Sequence, residues 1–252
     1  MLHNLVLQLN IYNHITYKKC HFEIAFFYFK LKHNLNLEMA LTITKRTFWV
    51  LLLCYSIILK EVSSSAIKAA PYFMPLDNDP QNIDDIVANS GIRHFIFAFA
   101  LATDQGECLP AWDGHKNQSV ISDTKVLEMV KKVRSHGGDI SISFGGYNGV
   151  EMGHVCHSPE ALAKAYQIVI DKYELTHVDF DIEGDDLGPS DEESRRFQAI
   201  KILKRNAAAA GRELYVTLTL PCTTVGLSDL GKAEIKRGID IQQNLIDLYK
   251  IM

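Results

Sequence analysis

The chain has 252 residues, of which 47% are hydrophobic, with a formal net charge of −4 and a pI near 6.2. This composition is that of a globular protein large enough to bury one sizeable core. It shows neither a basic patch of the kind that binds nucleic acid nor a long acidic tail, so we expect no nucleic-acid partner.

The first seventy residues differ in character from the rest of the chain. An apolar run from Phe48 to Leu59 is preceded by Lys45 and Arg46, and small residues follow it up to Ala66. A basic start, a short apolar centre and small residues after it are typical of a secretory signal peptide. The run is short for a membrane span.

We therefore predict a signal peptide over residues 39–66 and a secreted protein. Residues 1–38 form an N-terminal extension, which can be an artefact of gene prediction. The alternative is a signal anchor, in which residues 48–59 keep the protein at a membrane. In either case the folded part of the chain is expected over residues 71–252.

Three cysteines lie beyond the predicted signal segment: Cys108, Cys156 and Cys222. Cys108 and Cys156 each follow a strand-like segment in the same half of the chain. A disulfide between neighbouring loops is compatible with these positions and with export, but the sequence does not establish the pairing. Asn117 opens an Asn-Gln-Ser sequon in a polar loop.

From residue 71 onward, strand-like segments alternate with helix-like segments. The predicted strands are residues 71–75, 94–101, 139–146, 178–183 and 214–220. The predicted helices begin near Ile83, Val126, Ser158 and Ser190. A last segment, Ile239 to Met252, is also predicted to be helical, because Leu245, Leu248 and Ile251 recur at helical spacing.

Strands that alternate with helices predict parallel βα units, either in an open doubly wound sheet or in a TIM barrel. Gly145 to Tyr147, Asp181 to Glu183 and Pro221-Cys222 all lie at the carboxyl ends of predicted strands, where barrels carry their functional groups. No Gly-x-Gly-x-x-Gly opens a helix, which counts against a dinucleotide-binding sheet. We predict an α/β protein with a TIM (β/α)8 barrel that is incomplete, with about five to six βα units.

The segment from Val178 to Glu183 alternates apolar and acidic residues. As a strand, it places Asp179, Asp181 and Glu183 on one face. Asp181 and Glu183 would lie about 6 to 7 Å apart at Cα, so at least one carboxyl pKa is expected to rise toward neutrality. A protonated carboxyl beside an ionised one can cleave an acetal or glycosidic bond.

Two other interpretations of this acidic strand remain open. It could be a solvated edge strand, since charged residues are mostly exposed. It could also be a site for a hard cation such as Mg²⁺ or Ca²⁺, which carboxylate oxygens bind.

Two motifs together resemble those of the glycoside hydrolase family 18 chitinases. They are Ser143-Phe-Gly-Gly146 on one predicted strand and Asp179-Phe-Asp-Ile-Glu183 on the next. The resemblance runs from about Pro71 to about Leu230 and is strongest to the secreted bacterial and fungal branch. It implies a TIM barrel that hydrolyses β-1,4-linked N-acetylglucosamine polymers such as chitin, without a cofactor or metal, and we expect a monomer.

The resemblance also implies roles for individual residues. Glu183 would be the general acid, Asp181 would orient and stabilise the substrate's N-acetyl group, and Asp179 would be the inner carboxylate. The acetamido oxygen of the substrate would then be the nucleophile. Ser143 would hydrogen-bond the inner acids, and Ser143, Gly145, Gly146 and Tyr147 are the predicted substrate-binding residues.

The sequence departs from the family's pattern in two places. Thr176 stands where the family has the first aspartate of its four-acid motif. The family's Met-x-Tyr segment and its last-strand tryptophan have no visible counterpart, so we expect weak or no turnover from the chain as given. The alternatives are a non-catalytic chitin-binding or chitinase-like interaction protein and a metal-dependent hydrolase.

Overall fold

The computed structural model describes residues 70–77, 79–188 and 190–252. The predicted extension and the predicted signal segment, residues 1–38 and 39–66, lie outside the described residues. Within the described part of the chain, no helix combines the length and the apolar character needed to cross a bilayer.

The elements alternate along the chain as the sequence predicts. The strands are β1 (Tyr72–Phe73), β2 (His94–Ala102), β3 (Pro110–Trp112), β4 (Asp139–Gly145), β5 (His177–Asp181), β6 (Tyr215–Leu220), β7 (Cys222–Thr223), β8 (Gly226–Leu227) and β9 (Leu248–Ile251). The helices are α1 (Ile83–Ser90), α2 (Lys125–Ser135), α3 (Met152–Val155), α4 (Pro159–Tyr173), α5 (Ser190–Ala209) and α6 (Asp229–Ile241). Short 3₁₀ turns lie at Lys116–Gln118, Val120–Ser122 and Gly184–Asp186.

The sheet is the half-barrel that the sequence predicts. Its parallel strands follow the order β1-β2-β4-β5-β6-β9, while β3 pairs antiparallel with β2. Among the described residues, β1 pairs only with β2 and β9 only with β6, so the two edges do not meet. β7 and β8 form a separate hairpin at the carboxyl end of β6.

The core lies between this sheet and the helices that cover its outer face. Phe144 on β4 and Phe180 on β5 are fully buried, with ring centroids 5.2 Å apart. Tyr166 of α4 packs edge-on against Phe180 at 5.1 Å. The apolar face of the acidic strand therefore contacts the helix layer, and its acidic face lies on the inner side of the half-barrel.

The prediction of a helix over residues 239–252 is wrong. Helix α6 ends at Ile241, and the chain then enters β9, where Leu248 pairs with Thr217 of β6. Leu245 and Ile246 are buried just before the strand begins. A four-residue strand contains too few residues to establish a period of two, and the i, i+3 spacing of its apolar residues therefore matched a helix.

Cys108 and Cys156 form a disulfide, a pairing that the sequence left open. It joins the loop after β2 to the end of α3, while Cys222 is a free, exposed cysteine.

A buried ion-pair network lies between the helices. Arg196 of α5 is 1% exposed and pairs with Glu234 of α6, with 2.5 Å between Nη1 and Oε1. Its Nε lies 3.9 Å from Oε2 of Glu151. Oε1 of Glu151 accepts a hydrogen bond from the Tyr166 hydroxyl, and Oε2 accepts one from the Gly153 amide.

Candidate active site

The three predicted acids lie on and just beyond β5, the strand between β4 and β6. Asp179 and Asp181 are 1% and 2% exposed, and Glu183 follows the strand in extended backbone and is half-buried. Asp181 is paired in register with Gly145 of β4 and Thr219 of β6. All three therefore meet at the carboxyl end of the sheet, where a barrel carries its functional groups.

Asp179 is the innermost acid and accepts hydrogen bonds on both oxygens. Its Oδ2 accepts from the hydroxyls of Tyr72 and Ser143, each at 2.8 Å. Its Oδ1 accepts from Thr219 at 3.0 Å and lies 3.5 Å from Nζ of Lys250. This arrangement matches the sequence prediction that Ser143 hydrogen-bonds an inner acid, and it makes Asp179 an acceptor.

Asp181 is in a different environment. Its Oδ1 is buried and has no hydrogen-bond partner among the described residues. Burial, followed by the negative charges of Glu183 and Asp179, raises the pKa of Asp181 to about 8, although the charge of Lys250 opposes the rise. Asp181 therefore holds a proton at pH 7, because an unsatisfied carboxylate in this place would be costly.

Burial also raises the pKa of Glu183 above its ordinary value. Since the charge of Glu183 acts on Asp181, the two carboxyls titrate as a coupled pair. The more exposed of the two is Glu183, which places it toward the opening of the half-barrel.

Gly145 and Gly146 let β4 approach the acidic strand closely. Both have a φ of +95°, and a Cβ on Gly145 would lie 2.2 Å from the Asp181 carbonyl oxygen. The Gly146 amide donates to that same oxygen at 2.8 Å. These glycines therefore help to fix the backbone that carries Asp181.

Tyr147 follows the two glycines at the rim of the half-barrel and is 74% exposed. A Cβ on Gly184, the residue after Glu183, would lie 3.6 Å from its ring. An exposed aromatic ring beside the outermost acid can stack on an apolar sugar face. Phe99 lies close to Gly146 and to Tyr72, whose ring centroid is 6.0 Å away.

The loop after Glu183 is tied to α3 by charged side chains. His154 contacts Asp186 through Nε2 and lies 2.7 Å from Glu192 through Nδ1. Burial disfavours a charge on His154, but these two carboxylates outweigh it and raise its pKa. The Arg195 guanidinium donates to the Gly153 carbonyl of the same helix. These contacts fix the backbone just beyond the outermost acid.

Tyr72, Thr219 and Lys250 were not identified from the sequence. Each contacts Asp179 from a different strand, across 107, 40 and 71 residues of chain respectively. The alternation of Thr217 and Thr219 with leucines on β6 was the one local signal of inward polar groups. No group of three His, Cys, Asp or Glu side chains in the described residues is arranged to hold a metal ion.

Fold and site together form a half-barrel of parallel strands with three carboxyls at its open end. No protein-family profile matches the chain. It is 30% identical over 165 residues to the "Probable bifunctional chitinase/lysozyme" of Escherichia coli (strain K12) and 28% identical over 162 residues to "Endochitinase 11" of Metarhizium anisopliae. Each match covers 64% of the chain, but only 18% and 30% of these curated relatives.

The half-barrel is also similar to the crystallised active domain 2 of the Pyrococcus furiosus chitinase, with a TM-score of 0.61 and 26% identity. The match covers 73% of the chain and 56% of that domain. A further structure of that domain, complexed with chito-oligosaccharides, matches with a TM-score of 0.57 and 27% identity. In sequence and in fold, the described part of the chain is therefore similar to chitinases.

Proposed function

We propose that the chain carries the acid-bearing part of a chitinase, which hydrolyses β-1,4-linked N-acetylglucosamine polymers with retention of configuration. The observation that carries the proposal is the set of three carboxyls on one face of β5 and just beyond it, where burial raises the pKa of Asp181 to about 8 beside Glu183. An acetal oxygen needs a proton from such a group to leave.

In the proposed mechanism, Glu183 protonates the departing glycosidic oxygen. The acetamido oxygen of the bound sugar attacks the anomeric carbon, so no protein nucleophile is needed. The Asp181 carboxyl faces this acetamido group, and its partner-free Oδ1 can accept from the acetamido N–H. The Glu183 carboxylate left after this step takes a proton from water, and the water oxygen attacks the anomeric carbon. The bond between that carbon and the acetamido oxygen then breaks, and the product leaves with Glu183 protonated again.

The second candidate is a non-catalytic chitin-binding protein. One observation favours it: Tyr147 offers an exposed ring for stacking. The presence of Glu183, the proposed general acid, favours the enzyme. Retention of the chain on chitin beads without any release of soluble sugar would favour the binding protein.

The mechanism predicts that turnover depends on the N-acetyl group of the substrate. The chain is expected to release reducing ends, at a low rate, from an N-acetylated chito-oligosaccharide and none from the deacetylated oligomer of equal length. The rate is measured by reducing-end assay, with a cello-oligosaccharide as a second control. Equal release from acetylated and deacetylated oligomers would contradict the substrate-assisted step.

We further propose that the protein is secreted. The Cys108–Cys156 disulfide supports an oxidising compartment, and Asn117 of the sequon is exposed. In a eukaryotic secretory host, the medium is expected to contain a product that begins near Ala66 and loses mass on treatment with an N-glycosidase.

N-terminal sequencing and gel mobility measure these outcomes. An Asn117→Gln variant is the matched control and should lose the mobility shift alone. Recovery of intact residues 1–60 in the membrane pellet would instead support the signal anchor.

A further inference from the structure

His154 lies on α3, a short helix that is held at both ends. At its start, the buried Glu151 side chain accepts from the Gly153 amide at 2.7 Å, and the Arg195 guanidinium of α5 donates to the Gly153 carbonyl. At its end, Cys156 forms the disulfide to the loop after β2. The backbone that carries His154 is therefore fixed relative to α5 and to that loop.

The imidazole of His154 joins two elements that follow the outermost acid. Its Nε2 contacts Oδ1 of Asp186, the last residue of the 3₁₀ turn after Glu183, and its Nδ1 lies 2.7 Å from Oε2 of Glu192 on α5. We call these two contacts the His154 bridge. The Asp186 amide also donates to the Glu183 carbonyl at 3.0 Å. A short series of contacts thus connects His154 to the backbone of the acid.

The protonation of His154 decides whether the His154 bridge is complete. A carboxylate only accepts hydrogen bonds, and a neutral imidazole has one N–H, whereas the imidazolium has an N–H on each nitrogen. Burial disfavours the charged ring, but the hydrogen bond to Asp186 and the charges of Asp186 and Glu192 outweigh it and raise the pKa of His154 above 6.5. The bridge is therefore complete at low pH, and one contact is lost as the pH rises through the raised pKa.

Other charged or titratable groups packed around the His154 bridge come from α4, α5 and the residue before α3. They are Tyr166, Arg195, Arg196 and Glu151. Burial raises the pKa of Asp186, and the hydrogen bond from His154 opposes this rise. Glu151 and Arg196 act on Asp186 with opposite signs. Because their effects oppose each other and His154 contacts Asp186 directly, His154 is the group whose proton controls the bridge.

We propose that His154 is a positioning residue of the acid: from its fixed helix it holds, through Asp186, the turn that begins at Glu183, and it releases that turn at alkaline pH. This inference deepens the proposed function, because the positioning has catalytic meaning only if Glu183 is the acid. His154 does not touch the reacting atoms in this scheme. Its loss is expected to lower kcat more than it raises KM, since Tyr147 belongs to the loop after β4 and not to the turn.

The first measurement needs no substrate. The Asp186 and Leu187 amides close the turn, and their hydrogen exchange at pH 6 is followed by NMR on the full chain. In His154→Gln, exchange is expected to be about tenfold faster, because a hydrogen bond to a charged group is lost. His157→Gln, at an exposed histidine of the following loop, is the matched control and should exchange like the original chain.

The second measurement follows the turn as the pH changes. The ¹³Cα resonance of Gly184, which does not exchange with water, is expected to include a transition with the midpoint of the His154 ring, and this component should be absent from His154→Gln. Asp186→Asn keeps an oxygen that can accept from the ring but removes a charge, so the midpoint is expected to fall by about one pH unit. This second variant tests the inference even if His154→Gln does not fold.

The third measurement is turnover of an N-acetylated chito-oligosaccharide. In His154→Gln, kcat is expected to fall by about tenfold to hundredfold, with KM changed by less than about twofold. The inference is overturned if the turn exchanges as slowly as in His157→Gln, if Gly184 does not follow the His154 ring, or if kcat is unchanged. A chain that cleaves no chitin but shows the expected exchange and titration would contradict the proposed function and leave the hold of His154 on the turn supported.

Discussion

Glu183→Gln is expected to reduce the hydrolysis of an N-acetylated chito-oligosaccharide by about 10²- to 10⁴-fold, the range typical of a lost general acid. Glutamine has the shape of glutamate but no acidic proton to give to the departing oxygen. Binding of the oligosaccharide should change little, because the exposed Tyr147 ring and the backbone around Gly184 are unaltered. Release of a fluorogenic leaving group measures the rate, and calorimetric titration measures the affinity.

Glu213→Gln is the matched control for this variant, since Glu213 is exposed and lies before β6. It should retain the original rate. Equal rates in Glu183→Gln and Glu213→Gln would refute the assignment of the acid. A loss of binding in step with the loss of rate would indicate that Glu183 acts by holding the substrate.

Arg196→Met is expected to lower the free energy of unfolding by about 3 to 5 kcal/mol, because it removes the cation that two buried acids, Glu234 and Glu151, contact. Glu234 is fully buried and lies 2.5 Å from Nη1 of Arg196, and Glu151 is 2% exposed on the other side. Urea unfolding at pH 7, followed by circular dichroism, measures the change.

Two further variants separate the charge effect from the loss of packing. Arg212→Met, at an exposed position after α5, should change the free energy of unfolding by less than about 0.5 kcal/mol. The double variant Arg196→Met with Glu234→Met should recover much of the loss, since no unpaired charge then remains at that contact. A single variant as stable as Arg212→Met would show that the buried pair contributes nothing.

Local periodicity was sufficient to predict most of the half-barrel. Three local patterns indicated it: the apolar run of β2, the helix caps, and the alternation of acidic and apolar residues on β5. Each pattern depends only on residues a few positions apart in the chain. Ser158, for example, accepts from the Ala161 amide as a helix N-cap does. The acidic face could be predicted for the same reason, because alternation alone decides which side chains share it.

The remaining part of the site depends on contacts that local patterns do not encode. Tyr72, Thr219 and Lys250 meet Asp179 only because the parallel strands lie side by side. Their spacing along the chain is set by the helices between the strands, so no fixed offset marks them. The β9 segment adds a second difficulty, since its four residues fit either period.

The strict alternation of acidic and apolar residues on β5 limits how the sequence of this segment can evolve. Replacing one side chain alters a single contact, whereas inserting or deleting one residue between Thr176 and Asp179 would exchange the two faces of the strand. The acidic side chains would then lie against Phe144 and Tyr166 in the core, and the apolar side chains would line the open end of the half-barrel. We therefore expect natural variants of this stretch to differ by substitution and to preserve its length.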